Sequence, residues 1–254
     1  MISESLAAQP FRVFNNIGPI IIGIMGQGNV GKGCKDICEV LGATEIFTSD
    51  LNDISLLDRS KIYYVVLSRK HFLQKDDKEE FSHQDFIENP DDYKVVFHQK
   101  YLPKLSVFMN CINWDKRYPR LLTAEQMNSV LESPENRLMV IGDNSCLPHG
   151  SIEFLHKAKY CDNPFYYYDL KDGMVESHRD ASENSVVYVA VENAPAELPK
   201  DASQMFEDSL VKYLDWLASA EDVATTSMPD ELSRANIILK GELTEQYHHL
   251  GDKV

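Results

Sequence analysis

The hydrophobic pattern of the chain consists mainly of short, continuous apolar runs separated by helical or turn-rich segments. Continuous runs of this length are typical of strands in a parallel sheet that is covered on both faces. They predict strands at Ile20–Met25, 44–50, Ile62–Leu67, 106–112, 138–143 and 185–191. The strand at 44–50 is more polar and ends in an acid, Asp50.

Three other segments repeat apolar residues at helical spacing. The first begins after the glycine-rich turn near residue 28 and ends before Gly42, and the second follows a capping box formed by Thr123 and Gln126. The third covers residues 199–218, where Phe206, Leu210, Leu214 and Leu217 form an apolar stripe.

Alternating strands and helices predict an α/β fold with a Rossmann-type, doubly wound parallel sheet. We expect an N-terminal extension at 1–18, a dinucleotide-binding domain at 19–198 and a C-terminal helical segment at 199–254 that packs back on the sheet. Residues 76–93 are acidic and rich in turn formers. They are expected to form a solvated excursion between strands, with a binding lid as the alternative.

The composition excludes several classes of partner. The 254 residues contain 25 Lys and Arg against 40 Asp and Glu, a net charge of −15. A surface with this much negative charge repels a phosphate backbone and an anionic membrane. We therefore expect no nucleic-acid partner and no membrane partner. Backbone N–H groups can still hold the few phosphates of a small ligand.

Cysteine usage and the N-terminus predict a reduced, cytoplasmic protein. The five cysteines form no C-x-x-C pair, and Cys34 and Cys38 lie on one face of the first helix, where small buried side chains are expected. No apolar run approaches the ~20 residues of a membrane span, and no leader pattern precedes the first strand. His248 and His249 are adjacent in sequence and cannot share a helix face, so no metal site is expected there.

The most informative stretch is "PIIIGIMGQGNVGKG", residues 19–33. A buried strand leads into G-x-G-x-x-G, which opens a helix and is followed about 20 residues later by an acid; this context indicates a dinucleotide site. Gly26 would form the tight turn, Gly28 would let the backbone approach a pyrophosphate, and Gly31 would permit close helix–strand packing. Asn29 and Val30 complete the turn at the positive end of the helix dipole.

The acid is Asp50, placed by this spacing where it would accept hydrogen bonds from the adenine-ribose hydroxyls. That arrangement favours NAD, because a 2′-phosphate would meet a like charge. Ser49 and the nearby Arg69 could instead bind a 2′-phosphate, so NADP remains an alternative. The cofactor is therefore expected to be NAD or NADP, and the alternative is a glycine turn kept only for packing.

Five ordered motifs extend this interpretation: "NNIGPIIIGIMGQGNVGKG", "YYVVLSRKHFL", "NCINWDKRYPRLLT", "GSIEF" and "ENAPAELPKDASQMF". Together they resemble the lysine-ketoglutarate reductase and saccharopine dehydrogenase family, over the cofactor-binding half of the reductase portion of aminoadipic semialdehyde synthase. The resemblance covers nearly the whole chain, from about residue 16 to 250. It implies an NAD(P)-dependent oxidoreductase that joins lysine and 2-oxoglutarate to form saccharopine, or the reverse.

The resemblance also implies positions for further cofactor contacts. Asn110, Cys111 and Ile112 would end the fourth strand at the carboxyl edge of the sheet, and Asn193 and Pro195 would form the turn beside the nicotinamide. Strand capping and an ordinary Asn-x-Pro turn are the alternatives for these residues.

Asp143 and Ser145 match the family's D-[IV]-S-x-D motif, but the second acid is replaced by Leu147 and a following glycine by His149. Leucine can neither carry charge nor accept a hydrogen bond, so the function of that acid would be lost. His149 is expected to face solvent, with a substitute proton-transfer role as the alternative.

In the family, a substrate domain with the lysine and histidine for proton transfer precedes the glycine strand. Here about 18 residues come first, and they contain neither Lys nor His. No catalytic residue is therefore assigned. We expect a small-molecule amino-acid or 2-oxo-acid substrate, together with a separate substrate-domain partner or a homo-oligomer. The alternatives are a non-catalytic dinucleotide-binding or assembly module, and a fragment of a longer enzyme.

Overall fold

The structure is a computed structural model that describes residues 17–75, 81–177, 180–182, 184–220 and 227–253. The chain divides into two compact units, which meet in sequence between Ala194 and Pro195. No helix among the described residues is long and apolar enough to cross a membrane.

The strands of the first unit are, in chain order, β1 (Ile20–Met25), β2 (Thr44–Glu45), β3 (Ile62–Leu67), β4 (Leu73–Lys75), β5 (Tyr93–Val95), β6 (Val107–Asn110), β7 (Val140–Asp143), β8 (Phe165–Asp169), β9 (Gly173–Val175) and β10 (Val186–Val189). Its helices are α1 (Asn29–Val40), α2 (Arg69–Phe72), α3 (His83–Glu88), α4 (Phe97–Lys100) and α5 (Ala124–Glu132).

Eight of these strands form one sheet in the order β2-β3-β1-β6-β7-β10-β8-β9, and β4 pairs with β5 separately. The six strands from β2 to β10 in that order are parallel, while β8 and β9 add an antiparallel edge. The predicted Rossmann-type sheet is confirmed. It departs from the usual Rossmann order at one place, because β3 lies between β1 and β2.

Hydrophobic side chains cover the sheet on both faces. Alternate residues of β1 enter two different clusters, with Ile21 and Met25 in the larger one and Ile24 in the smaller one. Helix α5 adds Met127 and Val130 to the larger cluster. Helix α1 packs Cys34 and Cys38 into the smaller one, as expected for small buried side chains.

The predicted elements differ from the structure in three places. The strand predicted at 44–50 is limited to Thr44–Glu45, because both residues are exposed at the sheet edge and the chain then turns into the 3-10 helix Asp50–Asn52. The antiparallel strands β8 and β9 were missed. In the acidic segment, residues 76–80 lie outside the described residues, but 81–93 contain helix α3 and two buried rings, Phe86 and Tyr93.

The second unit contains helix α6 (Pro199–Ser219), close to the predicted 199–218, and the shorter helix α7 (Asp230–Ala235). A two-stranded ladder pairs β11 (Ile238–Leu239) with β12 (Glu242–Leu243), and the 3-10 helix Glu245–Lys253 follows. The indole N–H of Trp216 donates to the carbonyl of Ser227 at 2.9 Å. The expected packing of this unit on the sheet stays a prediction.

Candidate functional site

A cavity of about 880 Å³ opens at the carboxyl edge of the parallel strands. Its walls are the segments that follow four neighbouring strands, β3, β1, β6 and β7, with residues from 68–73, 26–30, 111–114 and 144–147 respectively. The chain order reverses between β1 and β6, and in open α/β sheets this switch point is where ligands bind.

The glycine turn forms the centre of the cavity wall. Gly26 has φ +120°, and a Cβ there would lie 2.7 Å from the carbonyl oxygen of Cys111. A Cβ on Gly31 would lie only 2.1 Å from the carbonyl oxygen of Gly26, so this glycine lets α1 pack against the turn. Gly28 differs from both, because a Cβ there would meet no protein atom within 4 Å.

The N-terminus of α1 adjoins the cavity at this turn. The first helical hydrogen bond runs from the Lys32 N–H to the Gly28 carbonyl at 2.9 Å, which leaves the amides of Asn29, Val30 and Gly31 outside the helical ladder. Gly28 provides no side-chain cap, and the first turn contains no acid. The open space at Gly28 and the three amides suit an anionic group such as a pyrophosphate.

Six of the residues predicted to bind a cofactor line the cavity: Gly26, Gly28, Asn29, Val30, Cys111 and Ile112. Gly31 lies behind the turn, and Asn110 and Asp143 are buried at the strand ends beneath the cavity. Asn193, with φ +59°, and Pro195 lie in the turn where the two units join in sequence, and their contact with a nicotinamide stays a prediction.

Asp50 does not line the cavity, and its predicted contact with the adenine-ribose hydroxyls stays a prediction. Its carboxylate accepts a hydrogen bond from the Phe47 N–H at 2.7 Å and closes a local turn. The physical reason is the strand order: Asp50 follows β2, and β3 separates β2 from β1. A sequence signal for this order exists, since the apolar run of β3 suits a central position and the polar residues of 44–50 suit an edge.

The segment after β3 occupies the place expected for the acid and carries Arg69 and Lys70 into the cavity wall. The Arg69 guanidinium lies 5.5 Å from the ring centroid of Phe86 and 5.7 Å from that of Tyr118. Its Nη1 is 3.3 Å from Nδ1 of His83, and no carboxylate of the described residues lies within ion-pair distance of it. This end of the cavity is basic in a strongly acidic protein.

Aromatic residues of the acidic segment belong to the same wall. Phe81 and Phe86 line the cavity, and Phe86 stacks on Tyr118 with centroids 5.0 Å apart and ring planes 22° apart. Most residues of 81–93 are exposed, as expected for a solvated excursion, but Phe81 and Phe86 also pack against the site. The missed signal is a set of three aromatic residues, Phe81, Phe86 and Tyr93, within an otherwise acidic stretch.

The opposite end of the cavity, after β6 and β7, is lined by Trp114, Asn144, Ser145 and Leu147. Leu147 thus places an apolar side chain in the wall where the family motif has an acid. His149 is exposed and does not line the cavity; its Nδ1 lies 3.3 Å from the Glu153 carbonyl.

Cys111 is the cysteine that lines the cavity. The neighbouring Cys34 thiol and burial hold the pKa of Cys111 well above its usual range. The thiol therefore stays neutral at physiological pH and contributes a packing surface, since a nucleophilic cysteine requires the thiolate. The described residues contain no group of three or more His, Cys, Asp or Glu side chains able to hold a metal ion.

Comparison with known proteins identifies relatives along nearly the whole chain. Residues 173–246 match the family described as Alanine dehydrogenase/PNT, C-terminal domain. Alpha-aminoadipic semialdehyde synthase of Arabidopsis thaliana is 30% identical over 262 residues, covering 98% of this chain and 24% of that protein. The mitochondrial alpha-aminoadipic semialdehyde synthase of Mus musculus is 25% identical over 252 residues, covering 92% and 27%. The chain spans about a quarter of the length of these relatives.

Among solved structures, an L-alanine dehydrogenase matches with a TM-score of 0.53 and 17% sequence identity. The match covers 95% of this chain and 55% of the other. At this identity the likeness shows the fold alone, and it agrees with the Rossmann-type sheet described above.

Proposed function

Since the chain belongs to the family of alpha-aminoadipic semialdehyde synthase, we propose that it is the coenzyme-binding part of an NAD(P)-dependent oxidoreductase of the saccharopine pathway. The observation that carries the proposal is the cavity at the switch point, with the free amides of α1 and the open space at Gly28 in its wall. These residues fit a dinucleotide, because a pyrophosphate can approach the backbone where no side chain intervenes.

In this proposal each part of the wall has a role. The amides of Asn29, Val30 and Gly31 hold the pyrophosphate, and the apolar surface of Phe81 and Phe86 excludes water beside the adenosine half. The other half of the coenzyme lies over the ends of β6 and β7, beside Ile112. The bound nicotinamide would supply or take up the hydride of the reaction.

The substrates of the proposed reaction are lysine and 2-oxoglutarate, condensed reductively to saccharopine, or saccharopine in the reverse direction. The cavity wall contains one lysine and one histidine among the described residues, Lys70 and His83, and both lie with Arg69 at the proposed adenosine end. They are therefore not placed to serve as the lysine–histidine pair that transfers protons at the nicotinamide. The proton-transfer groups therefore come from a substrate-binding domain or subunit, and the coenzyme part alone is expected to bind without turnover.

The basic end favours NADP over NAD. Arg69 is fixed by two aromatic rings, and a planar guanidinium is suited to bidentate contact with a phosphate. Lys70 adds a second positive charge to the same wall. Asp50, the residue that would repel a 2′-phosphate, lies beyond β3.

Fluorescence titration tests coenzyme binding and its selectivity, because Trp114 lines the cavity. Arg69→Ala should raise the Kd for NADPH about 10- to 100-fold, as expected for lost hydrogen bonds to a charged group, and change the Kd for NADH by less than about threefold. Lys32→Ala is the control: it removes one charge on α1 outside the cavity wall and should affect both coenzymes equally. No binding of either coenzyme to the wild type would refute the proposal.

Turnover is tested separately, by NADPH oxidation that depends on both lysine and 2-oxoglutarate, with the substrate-binding part of a relative added in trans. Binding that persists without any turnover in this assay would favour the second candidate, a coenzyme-binding module without catalysis. The observation that favours this candidate is Leu147, which lines the cavity in place of an acid.

A further inference from the structure

Four polar residues form a network beneath the cavity, at the carboxyl ends of β6, β7 and β10. Asp143 is 4% exposed, and its Oδ2 accepts a hydrogen bond from the Tyr188 hydroxyl at 2.7 Å. Its Oδ1 accepts from Asn110 Nδ2 at 2.8 Å, from the Ser145 N–H at 3.0 Å and from the Ser145 hydroxyl at 2.6 Å. Of the four residues, Ser145 lines the cavity.

The network determines where the Ser145 proton lies. Both carboxyl oxygens of Asp143 accept from N–H or O–H donors, and the Ser145 hydroxyl lies 2.6 Å from Oδ1, so its single hydrogen is directed at Asp143. Asn110 Nδ2 lies 3.2 Å from the same hydroxyl oxygen, but its two hydrogens point to nearer acceptors, Asp143 Oδ1 at 2.8 Å and Ser151 Oγ at 2.9 Å. The Ser145 hydroxyl oxygen therefore keeps its lone pairs for a ligand, and toward the cavity Ser145 can act only as an acceptor.

A second acceptor at the same strand ends also lacks a donor. Asn110 is fully buried, and its Oδ1 accepts no hydrogen bond from any described residue. Its amide cannot be reversed, because Oδ1 would then face the Asp143 carboxylate. Because Oδ1 is buried and Asn110 does not line the cavity, this acceptor cannot itself contact a ligand there, and Ser145 is the residue of the network that reaches the cavity.

Resting on the proposed function, we propose that Ser145 recognises the nicotinamide ring by accepting a hydrogen bond from its carboxamide N–H. The placement follows from the sheet. Ser145 follows β7 and Arg69 follows β3, on opposite sides of the glycine turn after β1. With the 2′-phosphate at Arg69, the nicotinamide lies toward Ser145, and the carboxamide is the N–H donor of that ring. Asp143 acts as a positioning residue that keeps the Ser145 proton out of the cavity.

The test compares NADPH with its reduced 3-acetylpyridine analogue, in which a methyl group replaces the carboxamide NH₂ and the carbonyl is kept. Wild-type protein should bind NADPH about 10-fold more tightly than the analogue, as expected for one hydrogen bond. Ser145→Ala should weaken NADPH binding about 10-fold and leave the analogue unchanged, so that the preference disappears. Asp143→Asn should also reduce the preference, because an amide can donate to Ser145 and free its hydroxyl to donate into the cavity.

Ser151→Ala is the matched control. The Ser151 hydroxyl accepts from the same Asn110 amide at 2.9 Å, but it is 1% exposed and does not line the cavity, so the preference should persist. Equal binding of both nucleotides to the wild type would overturn the inference without any variant. A Ser145→Ala effect of the same size on both would also overturn it, while leaving the proposed function intact. Failure of the wild type to bind either nucleotide would overturn the proposed function, and the inference with it.

Discussion

Replacing Gly28 by alanine distinguishes a glycine that serves a ligand from glycines that serve the fold. Gly28 has φ −75° and ψ −170°, a conformation open to any residue, and a Cβ there meets no atom within 4 Å. Alanine at this helix N-cap costs some capping preference, but it also restricts the unfolded chain, which contributes roughly 0.4–1 kcal/mol of stability. The free energy of unfolding should therefore change by less than about 0.5 kcal/mol.

The effect on binding should be much larger. The new methyl group would occupy the space through which a pyrophosphate approaches the amides of Asn29 and Val30. Losing one hydrogen bond to a charged group costs about 1.5–3 kcal/mol, which corresponds to a 10- to 100-fold increase in Kd. Quenching of Trp114 fluorescence by NADPH measures this change, and thermal unfolding of the same sample measures stability.

Two other glycines of the motif region provide matched controls. Gly33 is exposed within α1 and a Cβ there meets no atom, so Gly33→Ala should stabilise the helix by about 0.5–1 kcal/mol and leave binding unchanged. Gly31→Ala should destabilise the protein by roughly 1–3 kcal/mol or more, because its Cβ would lie 2.1 Å from the Gly26 carbonyl. If Gly28→Ala bound NADPH as tightly as Gly33→Ala, the pyrophosphate would not lie at this turn.

Two further predictions concern stability. Hydrogen bonds from Ser182 and the Lys171 N–H lower the pKa of Asp169 to about 2. The ionised Asp169 carboxylate therefore stabilises the fold above about pH 4, and this stabilisation is lost as the pH falls toward 2. Asp169→Asn should therefore lower the unfolding midpoint at pH 7 and have less effect near pH 2 in urea titrations; an equal effect at both would contradict this. Thr123→Ala should lower the melting temperature by about 2–4 °C through loss of about 1 kcal/mol from the capping box with Gln126, and an unchanged melting temperature would contradict that.

The parts of the fold that follow from local pattern could be predicted from the sequence. The strands Ile20–Met25 and Ile62–Leu67 have the predicted bounds, and the capping box of Thr123 is present. Each depends on neighbouring residues only: a continuous apolar run, or a hydroxyl three residues before an amide side chain. The first glycine turn is of the same kind, since its strand and helix adjoin it in the chain.

The order of the strands could not be predicted in this way, because pairing between parallel strands joins residues far apart in sequence. An apolar run shows that a strand is buried but not which strand lies beside it. The spacing from the glycine motif brings Asp50 to an adenine ribose only where β2 lies beside β1, and β3 occupies that position. The antiparallel strands β8 and β9 were missed for a related reason: Phe165–Asp169 contains three consecutive tyrosines with no clear alternation, and Gly173–Val175 is only three residues long.

The position of β3 also determines the chemistry of the site. A strand's carboxyl end delivers the residues that follow it to the cavity, so exchanging β2 for β3 beside β1 exchanges an acid for Arg69 and Lys70. The rings of Phe86 and Tyr118 lie against the Arg69 guanidinium there, at centroid distances of 5.5 and 5.7 Å. Asp50 and Arg69 make opposite predictions for the coenzyme, and the strand order brings Arg69 rather than Asp50 to the cavity wall. A wild-type preference for NADH that survives in Arg69→Ala would show that this end of the cavity does not hold the adenine ribose.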